Sequence, residues 1–337
     1  MQTFGRLTDG TPIEVITLGS PDALQARILT YGGILQRLTL ATRDGPRDLV
    51  LGLPHLDSYV RDHAFIGCII GRFANRIAGA AFVLDGVRFQ LTANDGSHHL
   101  HGGSLGFGKR VWRVLEFAPG TPACLRLGLR SADGEEGYPG NLHVSAEFRL
   151  GSDQLSLKFE ATSDAPTPVN LTYHPYFNLG GDPHGFEGDH FLRISADCFL
   201  PVFDRDLIPT GELSPVEGTP FDYRHSRVLR LPVSGSHPQL VLARGYDHCF
   251  ALRPAADGVA ELRSDRSRIV LRMESDQPGL QFYGGQDLSR QHPHLPQGIS
   301  LEPQAFPNAP NQASFQPAIL RPGGIYSHTL VYRFSTA

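Results

Sequence analysis

Alternation with a period of two runs through this chain. LRLGLRS from Leu125, HVSAEFRL from His143, LSLKFEATS from Leu155 and TLVYRF from Thr329 each set apolar and polar residues on opposite sides of an extended backbone, the pattern of strands with one buried face. In FVLDGVRFQL from Phe82, Asp85-Gly86 separates two such runs, and that pair tolerates the positive φ a two-residue hairpin turn demands. A helical stripe is rare; LDSYVRD from Leu56 is the one short helix the spacing suggests. With 37 Gly and 26 Pro as punctuation, the expected fold is all-β, a large antiparallel β-sandwich with few short helices, because two sheets closed face to face bury many half-apolar strands.

A chain of 337 residues, 40% hydrophobic, suggests two domains by length alone. No Ser/Gly-rich linker, charge run or composition shift marks a boundary, so one β-sandwich domain over 1–337 is expected. The net charge of -4 gives no basic footprint for nucleic acid, and the longest apolar run, Ala64 to Ile70, is too short for a bilayer. The opening MQTFGRLTDG lacks the order of a secretory signal. A soluble, cytoplasmic protein with a small uncharged substrate is the expectation; oligomeric state leaves no mark in the sequence. Cys68, Cys124, Cys198 and Cys249 are scattered and read as reduced core residues.

Several strings imitate other chemistry. GGSLGFGKR places Gly103, Gly108 and Lys109 at phosphate-loop spacing, but Arg110 stands where a Ser or Thr must reach magnesium. In GSHHLHGG, His99 and His101 alternate onto one face, yet no partner ligand follows at zinc spacing, so no metal is expected. Lys109 and Lys158, the only lysines, sit in no apolar stretch that activates an amine. A dinucleotide fingerprint and a GxSxG elbow are both missing. Proton transfer without a cofactor remains. Its candidate acceptor is Glu302 in SLEPQAFPNAPNQ, flanked on its face by Ser300 and Gln304; its candidate donor is His174 in NLTYHPYFNLGG, flanked by Thr172 and Tyr176.

The strings GRFANRIAGAAF, HHLHGG, SADGEEGYPGNL, NLTYHPYFNLGG, LIPTGEL, GTPFDYR, GYDHCF, QPGLQFYGG and SLEPQAFPNAPNQ occur in that order between residues 71 and 312. Together they resemble the aldose 1-epimerase (galactose mutarotase) family. The resemblance implies a galactose mutarotase-type sandwich that interconverts the α and β anomers of free aldoses. It makes Glu302 the general base and His174 the general acid, and His101, Asn75, Arg76, Asp247 and Gln281 the sugar-binding set. Gly108 stands where an aspartate commonly follows GF, and Asn308 replaces the usual aspartate after FP; both departures bear on loop contacts.

Mutarotation needs the anomeric hydroxyl to lose a proton while the ring oxygen gains one, so an acid and a base must flank the sugar. With Glu302 ionised and His174 protonated as the productive form, nearby anions, Asp247 or Glu302 itself, are expected to raise the histidine's pKa. Each residue has an ordinary alternative. Arg76 reads as a surface ion pair, His174 as a satisfied strand histidine, Glu302 as a sheet-edge carboxylate, Asp247 as a turn cap and Gln281 as a solvated strand residue. Three other functions stay open: a hexose-6-phosphate 1-epimerase, a non-catalytic carbohydrate-binding protein (although Trp112 is the sole tryptophan) and a glycoside hydrolase using Glu302 and Asp247.

Overall fold

The long alternating segments all become strands. In the computed structural model, which describes residues 1–181, 186, 188–231 and 237–336, Ala123–Ser131, Leu142–Leu150, Gln154–Ser163 and Tyr326–Thr336 lie side by side. They form the middle of a nine-stranded sheet that continues through Ile269–Ser275, Ala260–Ser264, His190–Ile194 and Arg227–Val228, with Arg113–Ala118 at its other end. A five-stranded meander covers residues 2–48, and a six-stranded sheet runs in the order Tyr176–Phe177, Ile299–Gln304, Gly279–Tyr283, Asp247–Leu252, Ala196–Phe199, Ser214–Pro215. The pairings are antiparallel. The α-helices among the described residues are three and short: Leu56–Arg61, at the expected place, Pro238–Ala243 and Leu288–Gln291.

One apolar cluster joins the three sheets. Leu125, Phe148, Leu157 and Leu330 of the nine-stranded sheet share it with Ile16 and Ile28 of the meander and with Leu280, Phe282 and Leu301 of the six-stranded sheet. Period two does the sorting: Leu280, Phe282 and Leu301 face this core, which turns Gln281 and Glu302 to the opposite face. The hairpin signal also holds, for Ala81–Leu84 and Val87–Gln90 pair across Asp85 (φ 51°) and Gly86 (φ 80°). Cys68, Cys124 and Cys249 are buried and Cys198 half-buried, all as free thiols.

The segment that carries Asn75 and Arg76 is anchored by Arg72, which is 1% exposed. Its guanidinium donates to Ser131 Oγ (2.6 Å) and to the carbonyls of Ser131, Ala132, Pro139 and Gly140. Burial lowers its pKa to about 10, which leaves it charged at neutral pH. Replacement by Leu strands several buried carbonyls at once, each costing about 1 to 3 kcal/mol. We expect Arg72→Leu to lose at least about 3 kcal/mol of stability, read from urea unfolding; a loss below about 1 kcal/mol, the level of an exposed ion pair, contradicts this.

Candidate active site

Two adjacent strands supply the floor of a polar cleft. Gln281 stands directly opposite Glu302 in the ladder, and the neighbouring strand begins with Asp247, whose Oδ1 accepts the Gln281 side-chain N–H at 2.6 Å. Gln281 is 4% exposed and Glu302 sits inside the sheet, not at its edge. The ordinary alternatives for these two residues therefore do not describe them.

His174 enters from the side. The extended run predicted around it is interrupted: Thr172–Tyr173 and Tyr176–Phe177 are separate two-residue strands, and His174 bridges them with its N–H on Cys68 O (3.1 Å). Its Nε2 lies 3.4 Å from Glu302 Oε1 and its Nδ1 3.4 Å from Ser300 Oγ. His174 is 4% and Glu302 1% exposed.

The third wall is a pair of left-handed residues. Asn75 has φ 63° and His101 φ 52°, a region where Asn and His are enriched among non-glycine residues. The Asn75 N–H donates to His101 Nδ1 (3.1 Å), and Asn75 Oδ1 accepts the Arg76 N–H (2.8 Å). The ring hydrogen of neutral His101 is thereby placed on Nε2. Gly102 follows at φ 86°, where a Cβ would stand 1.8 Å from Gly71 O, so the turn admits only glycine. Arg76 Nε is 2.8 Å from Asp95 Oδ2, and its Nη1 is 3.9 Å from Asp247 Oδ2.

All seven residues singled out in the sequence, Glu302, His174, His101, Asn75, Arg76, Asp247 and Gln281, line this one cavity of about 470 Å³. Phe65, Asp95, Tyr176, Tyr283, Arg205 and Arg244 line it too. Of these only Tyr176 and Tyr283 lay in the strings that carry the family resemblance. The two family departures are resolved locally: Asn308, at φ 59°, accepts the Ala78 N–H on Oδ1 (3.0 Å), and a Cβ at Gly108 would meet Cys68 Sγ at 2.5 Å.

Two expectations are corrected. His99 and His101 do not share a face, for His99 is buried with Nδ1 on Thr92 O (2.7 Å) and Nε2 on Tyr138 Oη (2.8 Å). Trp112, whose solitary presence weighed against a binding-only protein, is 1% exposed and donates to Phe107 O within the core. The imidazole of His174 is not raised by its anionic neighbours. Burial dominates and lowers it to about 4, while burial, then Asp247, raises the Glu302 carboxyl well above its ordinary range. Desolvation favours the neutral form of each group, so burial biases the sugar-free pair toward a carboxylic acid beside a neutral imidazole. Burial also holds His101 neutral and raises Asp247.

His101, His174 and Glu302 bring donor atoms within 4.8 Å of one another, close enough to surround a cation. The tautomer of His101 opposes that use, because coordination through Nε2 requires a proton on Nδ1, where the Asn75 N–H already points. Glu302 Oε2 and Gln281 Oε1, both buried, have no hydrogen-bond partner among the described residues. Such atoms call for a donor, and a molecule rich in hydroxyls carries many.

The architecture is that of a galactose mutarotase-type β-sandwich whose cleft brings a buried carboxyl and an imidazole together. A family model described as aldose 1-epimerase matches residues 14–333. Galactose mutarotase from Sus scrofa is 40% identical over 99% of this chain and 98% of its own length. Aldose 1-epimerase from Escherichia coli K12 is 35% identical over 97% and 96%. The structure of galactose 1-epimerase from Lactobacillus acidophilus NCFM superposes with a TM-score of 0.88 at 28% identity, covering 99% of this chain and 98% of that one. The chain belongs to the aldose 1-epimerase family.

Proposed function

We propose that Glu302 and His174 exchange protons with a bound aldose, opening the ring at C1 and reclosing it on either face. The chain is an isomerase acting on carbohydrates that interconverts the α and β anomers of free aldoses. The observation that carries the residue assignment is the 3.4 Å approach of His174 Nε2 to Glu302 Oε1 at the floor of a cavity lined by hydrogen-bonding groups. One domain over 1–337 is proposed with it, supported by an apolar cluster that draws on strands from Ile16 to Phe334.

The resting neutral pair and the productive ion pair hold the same number of protons. Moving one proton from Glu302 to His174 converts the first into the second, and hydroxyl donors of the bound sugar stabilise the carboxylate where burial alone disfavours it. Glu302 then takes the anomeric hydroxyl proton while His174 protonates the ring oxygen, and the C1–O5 bond breaks to give the open aldehyde. Rotation about C1–C2 presents the other carbonyl face; closure returns each proton. His101 Nε2–H, the Asn75 amide and Arg76 serve as donors, and Asp247 and Gln281 as acceptors, around the remaining hydroxyls.

Arg205 and Arg244 on the rim invite a phosphate at the far end of the sugar, but Arg244 is paired with Asp287 (2.9 Å), and Asp95, Asp206 and Asp287 also line the cavity. An uncharged aldose suits that balance better. Polarimetry of freshly dissolved α-galactose and α-glucose tests the activity: the protein accelerates the approach to equilibrium rotation, and equal rates with and without it refute the proposal.

The pH dependence follows from the pair acting as a unit. Below about 4 the imidazole gains a proton while Glu302 keeps its own, so no base remains. Above the raised pKa of Glu302 the last proton is gone and no acid remains. We expect a bell-shaped kcat/KM profile with an acid limb near 4 and an alkaline limb above the ordinary carboxylate range. His174→Asn leaves Glu302 as the lone titrating group of the pair, so the residual activity rises with pH as the carboxyl ionises and the bell is lost. A sigmoidal profile that His174→Asn leaves unchanged contradicts the assignment.

A further inference from the structure

Phe65 has φ 57°, a left-handed conformation that a bulky residue adopts only where its surroundings impose it. Asp62 imposes it. That carboxylate is 5% exposed, and it accepts the Ala64 N–H on Oδ1 and the Ile66 N–H on Oδ2, both at 2.9 Å, bridging the backbone on either side of Phe65. His292 Nε2, 2.8 Å from Asp62 Oδ1, holds the carboxylate, and the Lys109 ammonium, through the carbonyls of Tyr59, Val60 and Asp62, holds the chain behind it.

The strained residue sits beside the two histidines of the cleft. The Phe65 ring meets His101 edge-on at 4.6 Å between centroids and lies 6.1 Å from His174. Its segment is bonded to the strand bearing His174: Tyr176 Oη donates to Ala64 O (2.9 Å), Gly67 N–H to His174 O (2.9 Å) and His174 N–H to Cys68 O (3.1 Å). Backbone strain held this firmly marks a place where a side chain must be in one position.

We propose that Phe65 is the apolar platform on which the C–H face of the bound aldopyranose rests, and that Asp62 is the positioning residue that fixes the platform. This rests on the functional reading above. A pyranose carries hydroxyls around its edge and C–H bonds on its face. Asn75, Arg76, His101, Asp247 and Gln281 address the edge, while Phe65 offers a flat apolar ring beside His174 in the cavity that Glu302 also lines.

The test is the steady-state kinetics of α-galactose mutarotation for wild type, Phe65→Tyr, Phe65→Ala, Asp62→Asn and the Asp62→Asn/Phe65→Ala double variant, with Glu302→Gln run alongside. Loss of the buried ring face raises KM about tenfold in Phe65→Ala, with a smaller change in kcat, whereas Phe65→Tyr keeps the wild-type KM. Asp62→Asn raises KM in the same way. Because Asp62 acts through Phe65, the double variant is no worse than Phe65→Ala. A wild-type KM in Phe65→Ala overturns the platform, and additive losses in the double variant overturn the positioning role. Should Phe65→Ala not fold, Phe65→Leu, which keeps bulk without a flat ring, must still raise KM, and a wild-type value overturns the platform. An inactive Glu302→Gln beside an unaffected Phe65→Ala defeats the platform alone; a fully active Glu302→Gln defeats the acid-base reading itself.

Discussion

Glu302→Gln is expected to slow enzymatic mutarotation of α-galactose by roughly 10² to 10⁴, the usual worth of one positioned proton transfer. The amide keeps the shape of the side chain but has no basic lone pair for the anomeric proton. Folding survives, because the carboxyl is 1% exposed and burial already favours its neutral form. A neutral amide carries no charge to desolvate, so the melting temperature of Glu302→Gln equals or exceeds that of wild type. Activity loss with a matching loss of stability points to a structural role instead.

His174→Asn removes the proton donor at the ring oxygen, with an expected loss of again roughly 10² to 10⁴. The backbone of residue 174 bonds to Gly67 and Cys68 whatever its side chain, so the local fold persists. Ring opening needs both transfers, and one without the other leaves a charged intermediate. The Glu302→Gln/His174→Asn double variant should therefore be little slower than the worse single variant. Polarimetric rates for the three proteins measure this directly; losses that multiply across the two sites mean that the residues act in separate steps.

The large sheets were legible because their strands are long and half-buried, so alternation alone identifies Ala123–Ser131, Leu142–Leu150 and Gln154–Ser163. The elements that shape the cleft were not. Ile69–Ile70, Arg76–Ile77, His99–Leu100 and Thr172–Tyr173 have two residues each, too few for any period, and they exist through pairing between distant segments. Of the site, Glu302 and His174 were legible from the polar faces of their own segments, and the other five polar residues through family motifs. Phe65 was not, since a left-handed aromatic held by a carboxylate three positions earlier has no sequence signature. The direction of the His174 shift was misjudged for a related reason: neighbouring charges can be guessed from a sequence, whereas the depth of burial that outweighs them is a property of the folded sheets.

The central claim is geometric, that one pyranose lies between Glu302 and His174 with C1 and O5 turned toward them. A crystal structure of the Glu302→Gln variant with galactose tests it most directly. The account predicts the anomeric oxygen within hydrogen-bonding distance of residue 302 and the ring oxygen within that distance of His174 Nε2. A sugar seated in the cavity with its C1–O5 bond turned away from both residues contradicts it.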